Sequence, residues 1–216
     1  MDMFDITVVG GGLAGSVAAL ACARQGFRTA FIAPDDGRVD ARTSALMDTS
    51  VRYLDSLGLW EQIVPHATAL STMQIIDATG RLLRAPTVAF RASEIDLAAF
   101  GYNIANSEML KVLAKALDSE PHLTRLHAAL TGMTTDGDRA VLTLSDGAVL
   151  STGLVVAADG RNSLVRQSIG IDVRTHAYPQ TAVVLNFIHE RPHNNVSTEF
   201  HTTTGPFTQV PLAGRR

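Results

Sequence analysis

The residues best suited to chemistry lie near the start of the chain, where Gly10-Gly11-Gly12-Leu13-Ala14-Gly15 fits the pattern G-x-G-x-x-G. Gly10 allows a tight turn after a strand, Gly12 lets a pyrophosphate approach the backbone, and Gly15 lets a helix pack closely on a sheet. Free N–H groups at the start of that helix favour phosphate charge. A glycine-rich turn without a ligand is the alternative, but the flanking strand and helix patterns favour a dinucleotide site.

Two further segments offer polar groups to such a ligand. Arg42, in the stretch 40–46, precedes a predicted helix, where its guanidinium could bond to phosphate oxygens. Composition alone favours a surface salt bridge for this arginine. Asp159 follows the apolar strand pattern of residues 154–158, and Gly160 lets the backbone come close to a ligand. Because α/β folds bind ligands at the carboxyl ends of strands, this position predicts a binding role.

One element of the dinucleotide pattern is missing. An acidic residue that hydrogen-bonds the adenosine ribose normally ends the second strand, about 20 residues after the glycines. Ala33 stands at that position and Pro34 follows it, whereas Asp35 and Asp36 come after the predicted strand end. Either a loop residue replaces the acid, or adenosine is held more weakly.

Hydrophobic periodicity and turn residues predict the elements that position these groups. Residues 5–9 and 29–33 are predicted strands on either side of an alanine-rich helix over 13–25, which Gly26 closes. The other predicted elements are a helix over 44–56, strands within 70–92 around the turn Thr79-Gly80, a helix over 107–117 capped by Asn106, strands over 126–134, 140–144 and 149–158, a short helix from Asn162 or Ser163 to Gly170, and further strands from Val173 onward. This order predicts an α/β fold.

Composition bounds the class of protein. Hydrophobic residues make up 46% of the 216 residues and charged residues 18%, which is typical of a globular chain. The net charge of −3 gives no footprint for nucleic acid. A single cysteine, Cys22, excludes an intramolecular disulfide and favours a reducing compartment. The seven histidines match no metal-site spacing, so we predict no metal and assign no catalytic residue.

Taken together, the segments resemble the class A FAD-dependent aromatic hydroxylases of the para-hydroxybenzoate hydroxylase type, in particular the ubiquinone-biosynthesis hydroxylases. That family shows a D-x-R-x-x-A-L segment, then L-G-L/V-W, G-Y-x-x-x-N and A-D-G-x-x-S-x-V-R. The matching stretches here are residues 40–46, 57–60, 101–106 and 158–166. The resemblance covers essentially the whole chain.

The resemblance implies a Rossmann-like FAD/NAD(P)-binding domain with a parallel sheet, an added antiparallel three-strand meander, and part of a β-rich substrate domain. Residues 1–67 and 93–172 would form the FAD-binding domain, and residues 68–92 and 173–216 a partial substrate-domain sheet. The residues that it implies contact the cofactor are Gly10, Gly12, Leu13, Ala14, Gly15, Ala33, Arg42, Thr43, Asn106, Leu130, Ala158, Asp159 and Gly160.

The implied function is hydroxylation of an aromatic ring, in this subgroup a polyprenylated phenol of ubiquinone biosynthesis, with FAD as cofactor, NAD(P)H as transient reductant and O₂. The alternatives are a flavin-dependent reductase of isoprenoid lipids and a non-catalytic flavin-binding fragment. We expect a cytoplasmic protein with peripheral contact to the inner membrane or a ubiquinone-biosynthesis complex. The family's third flavin motif, of the type G-D-A-A-H, does not occur in these 216 residues. We therefore expect a truncated chain that does not turn over alone.

Overall fold

Residues 2–35, 37 and 40–214 are described by the computed structural model of the protein. Its helices are α1 Leu13–Arg24, α2 Asp48–Ser56, α3 Trp60–Ile63, α4 Asn106–Asp118 and α5 Leu164–Ser168, with 3₁₀ turns at Val64–His66 and Ala92–Ile95. Its strands are β1 Asp2–Val9, β2 Thr29–Ile32, β3 Thr43–Met47, β4 Ala67–Ala69, β5 Thr72–Asp77, β6 Val88–Arg91, β7 Gly101–Ala105, β8 Leu123–Leu126, β9 Leu130–Asp136, β10 Arg139–Leu144, β11 Val149–Ala157, β12 Val196–Thr202 and β13 Gly205–Gln209.

The largest sheet has six strands in the order β8-β2-β1-β11-β10-β9. Strands β8, β2, β1 and β11 run parallel, while β11, β10 and β9 form an antiparallel meander. Strand β1 lies between two parallel neighbours, and its residues from Ile6 to Val9 are all buried. A parallel strand covered on both faces needs a continuous apolar run, which explains the composition of β1. The predicted α/β fold, with a parallel sheet and an added meander, is confirmed.

The chain divides into two compact units. Unit 1 comprises Met1–Val39 and Leu110–Ala182, and unit 2 comprises Asp40–Met109 and Val183–Arg216. Unit 1 contains the six-stranded sheet, whose core cluster is formed by Phe4, Val9, Ala30, Ile32, Ala128, Leu142, Leu144, Leu150 and Val165. Unit 2 contains a four-stranded sheet in the order β13-β12-β5-β6 and a three-stranded sheet in the order β3-β7-β4. The division into FAD-binding and substrate domains inferred from the sequence stays a prediction.

The predicted helix over 44–56 is wrong in its first turn. Residues Thr43–Met47 form β3, which pairs antiparallel with β7, and the helix begins only at Asp48. The backbones meet closely there, because a Cβ on Gly101 would lie 2.3 Å from the Leu46 carbonyl oxygen. Pairing with a distant strand therefore overrides the local helical pattern. Arg42 precedes a strand and not, as expected, a helix.

Two strand predictions also need correction. The run 126–134, predicted as one strand, is divided, because Leu126 ends β8 beside β2 and Leu130 begins β9 beside β10. The strands expected from Val173 onward begin only at Val196, and none forms over residues 173–195. A strand needs a partner for its backbone N–H and C=O groups, and residues 173–195 pair with no strand of the described chain. The short helix near residue 163 is confirmed, with Ser163 as its N-cap.

Candidate functional site

In the turn between β1 and α1, backbone packing within the chain requires glycine at two positions. Gly10 has a φ of +118°, and a Cβ there would lie 2.2 Å from the carbonyl oxygen of Ala158. A Cβ on Gly15 would lie 1.9 Å from the carbonyl oxygen of Gly10. Neither position can hold a side chain without moving backbone. These two glycines let the turn, the start of α1 and the residue after β11 pack together.

Gly12 differs from both of these glycines. Its φ of −77° is open to any residue, and a Cβ there would meet no atom of the described residues within 4 Å. Packing within the chain therefore gives no reason for a glycine at this position. A ligand that approaches the backbone would supply one, since any side chain would occupy its space.

The N-terminus of α1 is suited to bind a negatively charged group. It has no acidic residue in its first turn, no side chain caps it, and Gly12 and Ala14 are exposed while Leu13 is half-buried. The Ser16 N–H donates to the Gly12 carbonyl oxygen at 2.9 Å. The N–H groups of the first turn have no acceptor within the helix, and the positive end of the helix dipole lies at this partly exposed terminus, an arrangement that binds phosphate.

The segment after β11 supplies a second group. Asp159 accepts a hydrogen bond on Oδ2 from the Val165 N–H at 3.2 Å, which ties it to the start of α5. Its Oδ1 is buried and has no partner among the described residues. Gly160 then turns the chain with a φ of +85°. A buried carboxylate oxygen without a donor is costly, so this atom fits a hydroxyl or N–H of a bound ligand.

Ala33, which stands where the dinucleotide pattern has an acidic residue, lines a cavity of about 180 Å³ in unit 1. Ala33 is buried, and its Cβ would lie 3.0 Å from a Cβ on Gly11. The polar residues that line the cavity include Asp35, whose carboxylate lies 2.8 Å from His127 Nδ1, and Arg125, whose Nε is buried without a partner in the described chain. Asp36 lies outside the described residues.

Arg42 belongs to a polar network in unit 2. Its Nε and one terminal nitrogen donate to the two carboxylate oxygens of Asp40, both at 2.8 Å. Buried Asn106 donates from Nδ2 to Asp40 at 2.8 Å and accepts on Oδ1 from the Ser44 hydroxyl at 2.7 Å. The Arg42 guanidinium, together with the Asn106 amide, holds the pKa of the Asp40 carboxyl well below its usual range. The salt bridge that composition favoured is therefore present, although the Arg42 side chain remains 73% exposed.

The structure divides the predicted cofactor residues between the two units. Thr43, the first residue of β3, lies with Arg42 and Asn106 in unit 2. Leu130, the first residue of β9, packs against the core cluster of unit 1. The residues that unit 1 brings together around the glycine turn and the strand ends are Gly10, Gly12, Leu13, Ala14, Gly15, Ala33, Ala158, Asp159 and Gly160. The contacts of all these residues with a cofactor stay predictions.

Two residues of the candidate site, Asp40 and Arg125, are not among those predicted from the sequence. Asp40 is the first residue of the 40–46 stretch, and its spacing of two residues from Arg42 allows an ion pair. Arg125 gave no signal, because it lies on β8, which was not recognised as a separate strand. Among the described residues no group of three or more histidine, cysteine, aspartate or glutamate side chains could hold a metal ion. No helix in the described ranges has the length and apolar character needed to cross a bilayer.

Comparison with known proteins gives a family match over residues 3–210, to a family described as FAD binding domain. The chain is 34% identical to ubiquinone hydroxylase UbiL of Rhodospirillum rubrum, over 98% of this chain and 50% of that protein. It is 31% identical to 3-demethoxyubiquinol 3-hydroxylase of Escherichia coli, over 96% of this chain and 54% of that protein. The chain thus spans about half the length of the curated relatives that it matches.

Solved structures show the same fold at low identity. Pseudomonas aeruginosa PqsL in complex with 2-aminobenzoylacetate superposes with a TM-score of 0.77 at 22% identity, covering 98% of this chain and 58% of that chain. The p-nitrophenol 4-monooxygenase PnpA of Pseudomonas putida superposes with a TM-score of 0.68 at 22% identity, covering 79% and 44%. At this identity the likeness establishes the fold alone.

Proposed function

Because this chain belongs to the FAD binding domain family, we propose that it holds the ADP half of FAD in a flavin-dependent monooxygenase. The observation that carries the proposal is Gly12, at the uncapped start of α1, where a Cβ would meet no atom of the part of the chain that the structure describes. FAD, when bound, supplies the redox chemistry with NAD(P)H and O₂, and the protein positions it and excludes water. The residues present fit this group, since they offer a phosphate site and an unpaired acceptor.

Each part of unit 1 has a role in this proposal. The N–H groups of Leu13 and Ala14 would bind the diphosphate, because they lie in the first turn of α1. Asp159 Oδ1 would accept from a hydroxyl of the cofactor, which would remove its unsatisfied state. Asp35 and Arg125 would contact the adenosine, since Ala33 offers no polar group.

The residues of unit 2 complete the assignment. Arg42 keeps an exposed guanidinium while Asp40 fixes it in one orientation, so it can approach a phosphate without losing its ion pair. Thr43 and Asn106 of unit 2, and Leu130 of unit 1, are assigned to the cofactor by the resemblance. We further assign residues 1–67 and 93–172 to FAD binding, and residues 68–92 and 173–216 to the substrate.

The substrate class follows from the relatives. Proteins named ubiquinone hydroxylase, 3-demethoxyubiquinol 3-hydroxylase and, in Homo sapiens, ubiquinone biosynthesis monooxygenase COQ6 share 29–34% identity with this chain. Their names favour hydroxylation of an aromatic, polyprenylated ring over reduction of an isoprenoid lipid. A substrate of this kind resides in a bilayer, so the complete protein would work in peripheral contact with the inner membrane.

The test uses the complete protein that contains this chain, purified with its cofactor. We expect visible flavin absorbance, NAD(P)H oxidation that depends on a prenylated phenol, and a product that gains one oxygen atom from O₂ by mass spectrometry. A protein that purifies without flavin and does not take it up would contradict the cofactor assignment. A product that gains hydrogen and no oxygen would identify a reductase instead.

A further inference from the structure

The loop between β5 and β6, residues 78–87, carries an apolar tip. Leu82 is 99% exposed and Leu83 is 88% exposed, the highest values among the large apolar side chains of the described chain. Single exposed leucines are ordinary on protein surfaces. Two adjacent leucines almost wholly in water form a projecting apolar surface, which is typical of a contact with another apolar phase.

The base of the loop is fixed. Asp77 accepts on Oδ1 from the Thr79 N–H at 3.0 Å and from the Thr79 hydroxyl at 2.6 Å, and on Oδ2 from the Ala85 N–H at 3.0 Å. Both arms of the loop are therefore bound to one carboxylate at the end of β5. These bonds lower the pKa of Asp77 to about 2, with the Thr79 hydroxyl as the largest cause. The carboxylate remains ionised, and its bonds intact, in the mildly acidic layer next to an anionic surface.

The charged side chains within the 78–87 loop are all basic. Arg81 and Arg84 flank the two leucines and are both exposed. Residues 78–87 contain no aspartate or glutamate, and the ionised Asp77 lies at the base of the loop, where its charge interacts with Arg81. The tip is thus locally cationic although the chain carries a net charge of −3. Arginine side chains beside an apolar pair can reach the phosphate level while the leucines enter the apolar layer.

We propose that the 78–87 loop docks the protein on an anionic lipid bilayer, with Leu82 and Leu83 at the boundary of headgroups and acyl chains and Arg81 and Arg84 against the lipid phosphates. Peripheral attachment needs two signals, and this loop combines apolar insertion with basic charge. The inference rests on the proposed function, because the bilayer is where a polyprenylated phenol resides. The inference adds the surface through which the protein would reach the bilayer.

The experiment is co-sedimentation of the complete, flavin-loaded protein with vesicles of phosphatidylcholine, alone or mixed with phosphatidylglycerol. We expect binding to the anionic vesicles and weak binding to the neutral ones. The double variant Leu82→Ser/Leu83→Ser should bind at least about tenfold more weakly, because it no longer transfers two leucine side chains from water. Arg81→Gln/Arg84→Gln should lose about fivefold for each arginine and most of the salt dependence.

A matched control is available on unit 2. Val183 and Val184 form another exposed apolar pair, at 80% and 70% exposure, without flanking arginines, so Val183→Ser/Val184→Ser should bind like the wild type. Circular dichroism and flavin content confirm that the variants fold. Equal binding by the leucine variant and the wild type, equal binding to neutral and anionic vesicles, or no vesicle binding at all would overturn the proposal.

Failure of this proposal is distinguishable from failure of the proposed function. Turnover of a water-soluble phenol without a prenyl tail does not need the bilayer, so it is measured on the wild-type protein without vesicles. Such turnover without vesicle binding contradicts the docking surface alone. Vesicle binding without turnover of any phenol contradicts the monooxygenase.

Discussion

Replacing Gly12 by valine should separate cofactor binding from folding. Among residues 2–35, 37 and 40–214, no atom lies within 4 Å of a Cβ at this position, and the φ of −77° suits any residue. We therefore expect the stability to change by no more than about 1 kcal/mol. The branched side chain would fill the space in which the diphosphate approaches the helix. Losing two N–H bonds to a charged phosphate, at about 1.5–3 kcal/mol each, corresponds to roughly two to four orders of magnitude in the FAD dissociation constant.

Two other glycines make the comparison decisive. Gly132, on β9 of unit 1, also has open space around its Cβ position, so Gly132→Val should retain both stability and flavin. Gly10→Val should instead lose stability, because the φ of Gly10 is +118° and a Cβ there would lie 2.2 Å from the Ala158 carbonyl oxygen. Strain and overpacking at Gly10 together should cost at least about 3 kcal/mol of stability.

The assay combines two measurements on the complete protein. Urea denaturation of the apoprotein reports the free energy of unfolding, and titration with FAD, followed by quenching of flavin fluorescence, reports the dissociation constant. If Gly12→Val binds FAD as tightly as Gly132→Val does, the space at Gly12 is not where the diphosphate lies. If Gly12→Val unfolds as readily as Gly10→Val, the glycine has a structural role that its surroundings do not account for.

The remaining predictions concern three other sites. Ala33→Glu should tighten FAD binding by about 1–2 kcal/mol by restoring a ribose acceptor; unchanged affinity, together with weaker binding by Asp35→Ala, would assign that role to Asp35 instead. Asn106→Ala should lower the free energy of unfolding by about 1–3 kcal/mol, because Asn106 is buried and its amide holds Asp40; an unchanged urea midpoint would contradict this. The pKa of Asp77 is lowered on folding, so its stabilising effect should be complete above about pH 4 and lost as the pH falls through about 2. The free energies of unfolding of the wild type and Asp77→Asn, measured as the pH is lowered, should therefore converge at low pH. A difference between the two proteins that stays constant with pH would refute the assignment.

Local signals predicted the first third of unit 1 closely. Local residue types determine the structure from β1 to β2, because a β-branched strand, a glycine turn, an alanine-rich helix and Gly26 follow in order. The helix bounds agree within a residue, with α1 ending at Arg24 and Gly26 in the left-handed region. Where long-range pairing decides, local pattern failed. Residues Ser44 to Met47 have helical spacing, but β7 pairs with them and makes them a strand.

The candidate site shows the same division. The sequence identified Gly10, Gly12 and Asp159 because each lies at a junction between a strand and a helix, where backbone geometry limits the residue type. The sequence could not distinguish why each glycine is needed: contact with Ala158 requires Gly10, whereas no contact among the described residues requires Gly12. The role of Arg125 depends on strand pairing and side-chain orientation within a folded unit, which no spacing rule supplies, whereas the spacing of Asp40 from Arg42 allows an ion pair without showing that it forms.

The order of strands in the six-stranded sheet has a consequence for synthesis on the ribosome. Strand β1 pairs along one side with β2, which follows at once, but along its other side with β11, which begins at Val149. At about 5–20 residues per second, the roughly 140 residues between them take roughly 7–30 s to emerge. During that interval β1 presents an unpaired apolar edge, which is a template for aggregation. Nascent chains that stop before Val149 should therefore need chaperones to stay soluble, and those that include β11 should not.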